Sequence, residues 1–347
     1  MRMERAIESR PPTGMAVAGA LMLALALPQL PGPARAQGAG NGGDAPPHFS
    51  LPVDCVLGES CFVQQLPDMD GGSGRADPFC GTASYDGHKG TDFRVRSMQD
   101  VESGVAVVAP APGTVARVRD GEPDRLVATQ EEAASIEGRE CGNGVMVEHA
   151  GGLRTLMCHL REGSIAVSEG ERVARGQKLG EVGASGLSSF PHVQMEVIGP
   201  EGSLDPFSGR PVGGGCLAPD DREAAVDPLW HPVDALALGR PGTQLLDAGL
   251  AAGAVGPDDL VRAAPDAPDG SGPAVVYGWG INLRDGDVMR LRLEGPNGEV
   301  SAEESPVEGD KAQWVAFAGR RNPGPGPYSG RVEIVRDGEV IAARDVP

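Results

Sequence analysis

The sequence is poor in aromatic residues and in positive charge. Only 4% of its 347 residues are Phe, Trp or Tyr, and 30 Lys and Arg stand against 49 Asp and Glu, which leaves a formal net charge of −19. A chain this acidic is not expected to bind nucleic acid through a basic surface. The few aromatics, together with 52 Gly and 31 Pro, favour short strands joined by many turns over a helical bundle.

The sequence also lacks an apolar run long enough to span a membrane. The longest run extends from Met15 to Leu27, 13 residues, whereas a transmembrane helix needs roughly 20. Three arginines precede this run, and the small-x-small site Ala34-Arg35-Ala36 follows it, which is the three-part pattern of a secretory signal peptide. We therefore predict cleavage after Ala36 and a periplasmic or secreted protein without a membrane span. An uncleaved membrane anchor is the alternative.

The sequence contains few cysteines, and their number is even. All six cysteines lie in the first two thirds of the chain: Cys55, Cys61, Cys80, Cys141, Cys158 and Cys216. An even number in an exported protein suggests three disulfides, although sequence does not choose among the possible pairings. Cys141 and Cys158 flank a predicted hairpin, so they are the first pair expected. A cysteine zinc site is the alternative, but only Cys55 and Cys61 are close and no C-x-x-C occurs.

The length that remains after the predicted signal peptide favours two domains. We divide the chain into a signal peptide at 1–36, a flexible linker at 37–50, a first domain at 51–234, a connector at 235–270 and an accessory domain at 271–347. Short apolar or alternating segments predict that the first domain is antiparallel and all-β, with very little helix. Its predicted strands include Val105–Ala109, Thr114–Val118, Gly144–His149, Leu153–His159, Leu179–Val182 and Val193–Val197.

A charged and irregular insert interrupts the first domain at residues 119–140. A short helix is predicted within it at Gln130–Ser135. The sequence leaves open whether this insert covers a substrate groove.

The accessory domain is predicted to be a small β-sandwich of immunoglobulin-like type. Its predicted strands are Ala274–Tyr277, Trp279–Leu283, Val288–Leu293, Lys311–Ala318, Gly330–Arg336 and Glu339–Arg344. Asp337-Gly338 is a strong hairpin signal, and short strands at this spacing are typical of a sandwich. The domain has neither Cys nor His. Trp279, Trp314 and Tyr328 could form a sugar-stacking face, but core aromatics are the preferred interpretation.

The stretch whose residue types best suit a metal site is Asp86–Phe93, which reads D-G-H-K-G-T-D-F. Imidazole and carboxylate are two of the common zinc ligands, and the glycines let the backbone bring His88 and Asp92 to one point. A polar turn is the alternative for these eight residues taken alone.

Three further histidines of the first domain lie on or at the ends of predicted strands. His159 ends a predicted hairpin strand, and His192 opens the last strand, where alternation places it on the same face as Gln194. His149 lies at a hairpin end and is interpreted as a solvated turn histidine.

Over about residues 81–207 the chain resembles the lysostaphin/LytM-type zinc metallopeptidases, which cut peptide cross-bridges or stems in bacterial peptidoglycan. Several motifs in the family's order and spacing carry the resemblance, and no single one would suffice. They are His88-x-x-x-Asp92, the segment from Gly144 to Leu160 that contains His149-x-Gly151-Gly152 and His159, then Gly176-Gln177-x-x-Gly180, Gly183-x-Ser185-Gly186 and Pro191-His192-x-Gln194.

The resemblance implies a zinc site and two catalytic histidines. His88 and Asp92 would be zinc ligands, and His159 and His192 would act around the attacking water and the oxyanion. The family's third ligand is the second His of an H-x-H motif, and here that position is Gln194. A carboxamide oxygen is a weaker neutral donor than imidazole, and each 1.4 kcal/mol of lost binding lowers the affinity about tenfold.

Several functions follow as alternatives. The first is an exported metalloendopeptidase that hydrolyses cell-wall peptides, with peptidoglycan peptides as its partners. The second is a metal-deficient module that binds the wall or regulates another wall hydrolase, as some family members with degenerate sites activate amidases. A different metal or water arrangement is a third possibility. A purely structural envelope protein is the last alternative, and no feature of the sequence favours it.

Overall fold

Short strands, most of them with one buried face, make up this protein, whose computed structural model describes residues 46–217 and 228–347. The predicted signal peptide and residues 37–45 of the predicted linker lie outside the described residues. No helix among the described residues is long and apolar enough to cross a membrane.

The first domain is built on a mostly antiparallel sheet. Its strands are β1 (Phe62–Val63), β2 (Thr91–Arg94), β3 (Ala106–Val108), β4 (Gly113–Arg119), β5 (Asn143–Glu148), β6 (Arg154–Leu160), β7 (Arg172–Val173), β8 (Lys178–Glu181), β9 (His192–Gly199) and β10 (Gly202–Leu204). The main sheet has the order β1-β2-β9-β6-β5-β4-β7, with β10 on β9, and β3 pairs with β8 separately. The prediction of an antiparallel all-β domain is therefore confirmed.

Helices are few and short. They are α1 (Met98–Ser103), α2 (Gln130–Ala134), α3 (Pro232–Leu238) and α4 (Pro257–Leu260). α2 falls where the sequence predicted a helix. It begins with a capping box, because Thr129 Oγ accepts from the Glu132 N–H while the Glu132 carboxylate accepts from the Thr129 N–H.

The central strands carry the core of the first domain. Val145, Met157, Val193 and Met195 are fully buried, and they come from β5, β6 and β9, which lie side by side in the sheet. Burying one such side chain stabilises the fold by about 1.5–3 kcal/mol. The core therefore fixes the three central strands firmly, and two of these strands carry histidines of the predicted site.

The accessory domain is a two-sheet sandwich of seven strands. They are β11 (Gln244–Ala251), β12 (Ala274–Leu283), β13 (Val288–Gly295), β14 (Gly298–Pro306), β15 (Lys311–Arg320), β16 (Ser329–Arg336) and β17 (Glu339–Val346). One sheet has the order β11-β12-β15 and the other β14-β13-β16-β17. The predicted sandwich is confirmed. β11 falls within residues 235–270, which the sequence assigned to a connector, and the domain boundaries themselves stay a prediction.

Alternation sets the sandwich core, as the sequence indicated. Met289, Leu291 and Leu293 on β13 are buried, whereas Arg290 and Arg292 face outward. Of the three aromatics considered above, Trp279 and Tyr328 are buried, in agreement with the core interpretation. Trp314 is half-buried, and its indole N–H donates to Ser305 Oγ at 3.2 Å.

All six cysteines are paired in three disulfides, Cys55–Cys61, Cys80–Cys216 and Cys141–Cys158. The expectation for Cys141 and Cys158 is confirmed. The cysteine zinc site is wrong, because no cysteine is free to bind a metal. Disulfides of this kind persist in oxidising compartments rather than in the cytosol.

The two domains share an apolar cluster. Phe62 of the first domain is buried among Leu246, Val275, Trp279 and Ile281 of the sandwich, and other apolar side chains of both domains pack around them. Polar contacts add to this cluster, for example the Asn282 side-chain amide, which donates to the Gln64 carbonyl at 2.7 Å. The sandwich therefore lies directly against β1, which pairs with β2.

Candidate metal centre

Four predicted site residues lie together in the interior of the first domain. His88, Asp92, His159 and His192 are each at most 5% exposed. His88 comes from the loop before β2, Asp92 from β2, His159 from β6 and His192 from β9. The sheet order places β2, β9 and β6 next to one another, so residues far apart in sequence meet at one place.

His88 and Asp92 present two donor atoms to the same point. His88 Nε2 lies 3.3 Å from Asp92 Oδ1. Both atoms are buried, and neither forms a hydrogen bond with any of the described residues. A buried polar atom left without a partner costs about 1–3 kcal/mol. Two ligands of one tetrahedral zinc, each about 2.0–2.2 Å from it, lie about 3.3–3.6 Å apart, so this pair fits a zinc ion at the short end of that range.

Asp68 holds the loop that carries His88. Its carboxylate accepts backbone N–H groups from Asp70, Ala76 and Gly87 at 3.0–3.1 Å, and its own N–H donates to the His88 carbonyl at 2.7 Å. Sequence reasoning missed this residue. The available signal was an Asp before the Gly-rich stretch 71–74, since Asp commonly accepts N–H groups from its own turn.

Gln194 lies in the position predicted for the third ligand. It is paired with Asp92 across β2 and β9, and directly paired residues share one face of a sheet. The side chain packs over Gly90, where an added Cβ would stand 2.6 Å from Gln194 Cγ. In the described parts of the chain, no three His, Cys, Asp or Glu side chains are grouped to hold a metal. The register places Gln194 beside Asp92, and its role as a ligand stays a prediction.

His159 and His192 share one hydrogen-bond pattern. His159 Nδ1 lies 2.8 Å from the Ser185 carbonyl, and His192 Nδ1 lies 2.8 Å from the Phe190 carbonyl. A carbonyl can only accept, so we assign the proton of each neutral ring to Nδ1. Each Nε2 then carries the free lone pair. The two rings are adjacent, with centroids 4.6 Å apart, and His192 Nε2 is 3.7 Å from Asp92 Oδ2.

Burial keeps both rings neutral. It lowers the pKa of His159 to about 3, with a further contribution from His192, and it also lowers the pKa of His192 although Asp92 opposes the shift. For Asp92, burial alone would raise the pKa, but His88 and His192 lower it overall. At neutral pH Asp92 is thus a carboxylate, which is the state that a metal ligand requires, and the His159 and His192 rings are neutral.

A backbone irregularity aims His159 into the site. Cys158 is paired with Gln194, so regular alternation would turn the next side chain to the opposite face. His159 instead has φ of 63°, in the left-handed region, and the β5–β6 register shifts at this end of the strand. Bulges of this kind re-aim side chains next to active sites. The disulfide from Cys158 to Cys141 lies beside the bulge.

The insert at residues 119–140 forms one wall of the pocket above the centre. The pocket has a volume of about 210 Å³, and Val127 of the insert lines it opposite Tyr85 and Leu187. The Val127 N–H donates to the Ser188 carbonyl at 2.8 Å, which ties the insert to the loop before β9. The question left open by the sequence is thus answered in part, because the insert lines the pocket.

His149 is not the solvated turn residue that the sequence suggested. It is only 9% exposed, its Nδ1 lies 2.9 Å from the Pro112 carbonyl and its Nε2 lies 2.8 Å from Thr155 Oγ1. The ring also packs edge-on against Phe49. The interpretation was wrong because Phe49, distant in sequence, covers the hairpin end.

Comparison with known proteins agrees with this geometry. Residues 86–206, which contain every predicted site residue, match the model of Peptidase family M23. A protein of Haemophilus influenzae described as an uncharacterized metalloprotease is 29% identical over 109 residues, which are 31% of this chain and 18% of that protein. The chain thus spans less than a fifth of this curated relative.

Two solved structures are similar to part of the chain. A zinc-containing peptidase from Vibrio cholerae is 26% identical, with 46% of this chain and 39% of that chain covered and a TM-score of 0.31. The catalytic domain of lysostaphin from Staphylococcus simulans is 21% identical, with 39% and 85% covered and a TM-score of 0.27. The family match covers almost the whole stretch, about residues 81–207, whose motifs resemble the lysostaphin/LytM type, and that resemblance is thereby confirmed.

Proposed function

We propose that this protein is an exported metalloendopeptidase that hydrolyses peptide bonds in bacterial cell-wall peptidoglycan. The observation that carries the proposal is the pair of buried, unpartnered donor atoms His88 Nε2 and Asp92 Oδ1, 3.3 Å apart within the segment that matches the M23 family. The three disulfides and the signal-peptide pattern support export.

His88 and Asp92 would hold one zinc ion, with Gln194 as a weaker third ligand. When bound, zinc supplies Lewis-acid polarisation of a carbonyl and lowers the pKa of a water to about 7. The protein's own contribution is the placement of the donors. The strand pairing fixes Asp92 and Gln194 side by side, and Asp68 fixes the loop of His88.

His159 and His192 supply the proton transfers. Because their Nδ1–H groups are held by carbonyls, each Nε2 can accept a proton from the attacking water. The imidazolium that forms can then donate a hydrogen bond to the oxyanion, and it can pass the proton to the leaving amine. Asp92 lies 3.7 Å from His192 Nε2 and favours the charged form of that ring, so we assign His192 as the base.

The pocket supports a substrate with small side chains. Its volume of about 210 Å³ admits a short peptide segment, and its apolar walls include Val127 and Leu187.

A second candidate is a metal-deficient module that binds the wall or regulates another hydrolase. One observation favours it: the third ligand position holds Gln194 rather than a histidine, and no group of three stronger donors occurs in the described residues. This module would bind peptidoglycan or a partner hydrolase without cutting it.

The deciding experiment compares the natural protein with two variants. Zinc content is measured by elemental analysis after dialysis against dilute zinc, and cleavage of peptidoglycan peptides is followed by mass spectrometry. We expect near-stoichiometric zinc and cleavage in the natural protein, loss of both in Asp92→Ala, and at least tenfold tighter zinc in Gln194→His, since one ligand improves by about 1.4 kcal/mol or more.

Zinc in the Gln194→His protein alone, with no cleavage by the natural protein, would contradict the peptidase and favour the second candidate. A natural protein that holds zinc but leaves every peptide intact would also count against the peptidase.

A further inference from the structure

Five flat side-chain groups are stacked from the sandwich to the candidate active site. The Arg94 guanidinium contacts two rings, with its Cζ 4.9 Å from the centroid of Trp279 and 4.8 Å from that of Phe190. The Phe190 and His192 rings follow, with centroids 4.5 Å apart and planes tilted by 31°, and the His192 and His159 rings are 4.6 Å apart with a tilt of 42°. The order is Trp279, Arg94, Phe190, His192, His159.

The Arg94 guanidinium is held in one position within this stack. It is fully buried and forms no ion pair with any described carboxylate, and burial lowers its pKa to about 9, so it stays charged at neutral pH. Its N–H groups donate to the Val95 and Arg96 carbonyls and to Gln64 Oε1. With its N–H groups bound by acceptors and its Cζ in contact with two rings, the guanidinium has little freedom to move.

Phe190 controls His192 through two contacts. Its ring packs on the imidazole, and its carbonyl accepts the Nδ1–H of the same imidazole at 2.8 Å. Arg94 and His192 are also direct partners across β2 and β9, so the Phe190 ring packs against two neighbours on one sheet face. Ser188 Oγ, which donates to the same carbonyl, also lies 3.1 Å from His192 Nδ1. A shift of Phe190 would therefore change the tilt of His192 and disturb both partners that hold its proton at Nδ1.

Trp279 closes the far end of the stack from the other domain. It is 1% exposed, and its indole N–H donates to Gln313 Oε1 at 3.2 Å, so the ring is locked in the sandwich. Phe190 packs against the same interdomain cluster. Without the sandwich, the outer face of Arg94 would be open to water.

We propose that Trp279 and Arg94 are positioning residues for His192, and that the sandwich is in this way part of the candidate active site. The consequence for catalysis rests on the proposed peptidase function. The consequence for the geometry of His192 does not, and it can be measured without metal or substrate.

The test compares Trp279→Leu, which removes the flat face, with Trp279→Phe, which keeps one. Leu246→Ala is the control, because Leu246 is fully buried in the same interdomain cluster and belongs to no part of the stack. The first readout is the ¹⁵N chemical shifts of the His192 ring nitrogens in metal-free protein, which report the tautomer. The chain has only six histidines, so the signals can be assigned.

We expect His192 to be protonated at Nδ1 in the natural protein and in Trp279→Phe, and to become a mixture of tautomers in Trp279→Leu. Leu246→Ala should lower the melting temperature but leave the His192 shifts unchanged. If Trp279→Leu does not fold, Trp279→Met, which is flexible and lacks a flat face, takes its place. Unchanged shifts in the leucine or methionine variant, or equal changes in Leu246→Ala, would overturn the proposal.

The second readout is peptide cleavage. Trp279→Leu should lower kcat about tenfold with KM within about twofold, because a misaligned base affects the chemical step rather than binding. Trp279→Phe should restore most of the rate, and a leucine variant with an unchanged kcat would contradict the catalytic consequence. If the natural protein cuts no peptide, the peptidase function fails, while the His192 shifts still decide the positioning role.

Discussion

The two domains of this protein differ in how many polar side chains they bury. In the described residues, the first domain buries polar or charged groups throughout its interior, from Gln64 to Ser208, whereas in the sandwich Asp287 alone is buried, and it is paired with Arg336 at 2.8 Å. The first domain also contains all three disulfides. A centre built from His88 and Asp92 needs buried donors and irregular loops, which stabilise a fold less than apolar packing does. The disulfides offset that loss of stability in the first domain, whereas the sandwich, with its regular apolar core, contains no cysteine.

The largest expected effect comes from opening the longest cross-link. Cys80→Ser with Cys216→Ser removes a disulfide that joins residues 136 apart, and loop entropy predicts a loss of about 5 kcal/mol in unfolding free energy. Cys55→Ser with Cys61→Ser, whose separation is 6 residues, should cost only about 2 kcal/mol. Urea unfolding without reductant measures both. Equal losses of unfolding free energy would mean that the Cys80–Cys216 disulfide stabilises the first domain no more than the short Cys55–Cys61 disulfide does.

A cavity in the sandwich core should have the next largest effect. Ile334 is fully buried on β16, so Ile334→Ala should lower the unfolding free energy by about 3 kcal/mol. Ile341→Ala, at a side chain that is 41% exposed, should stay within about 0.5 kcal/mol. Differential scanning calorimetry gives both values. If Ile334→Ala also changed the zinc content of the protein, the contrast between a structural sandwich core and a functional first domain would fail.

The smallest expected effect is a pH dependence confined to the first domain. Burial lowers the pKa of His149, against the opposing effect of the Pro112 carbonyl. The unfolded chain therefore binds more protons than the folded one below about pH 6.5, and the unfolding free energy should fall as the pH drops through that value.

The variant His149→Gln should reduce this slope between pH 7.5 and 5, as measured by urea unfolding at each pH. Part of the slope should remain, because burial also lowers the pKa of His159 and of His192. Ile334→Ala serves as the control, because the sandwich contains no histidine, and it should lower the curve without changing its slope. A slope that His149→Gln leaves unaltered would show that the buried ring does not govern acid stability.

Much of the architecture could be predicted from periodicity. Strict alternation from Val288 to Leu293 identified β13, and Asp337-Gly338 identified the hairpin of β16 and β17. The short strand β2 was not predicted, although it carries Asp92, because a four-residue strand with every side chain buried has no alternating pattern. β11 was missed in a segment rich in Ala and Gly, whose pairing is decided by β12.

The sequence by itself determined the residue types of the site and their order along the chain, because the ligand chemistry of His88, Asp92 and the histidines is local and the motif spacing is readable. Only the tertiary structure decided which side-chain atoms of the site lie close to one another. The 3.3 Å between His88 Nε2 and Asp92 Oδ1, the bulge that turns His159 inward and the stack from Trp279 to His192 all depend on contacts between distant segments. Such contacts arise from packing and strand register, which are properties of the whole fold and have no signature in any single stretch of sequence.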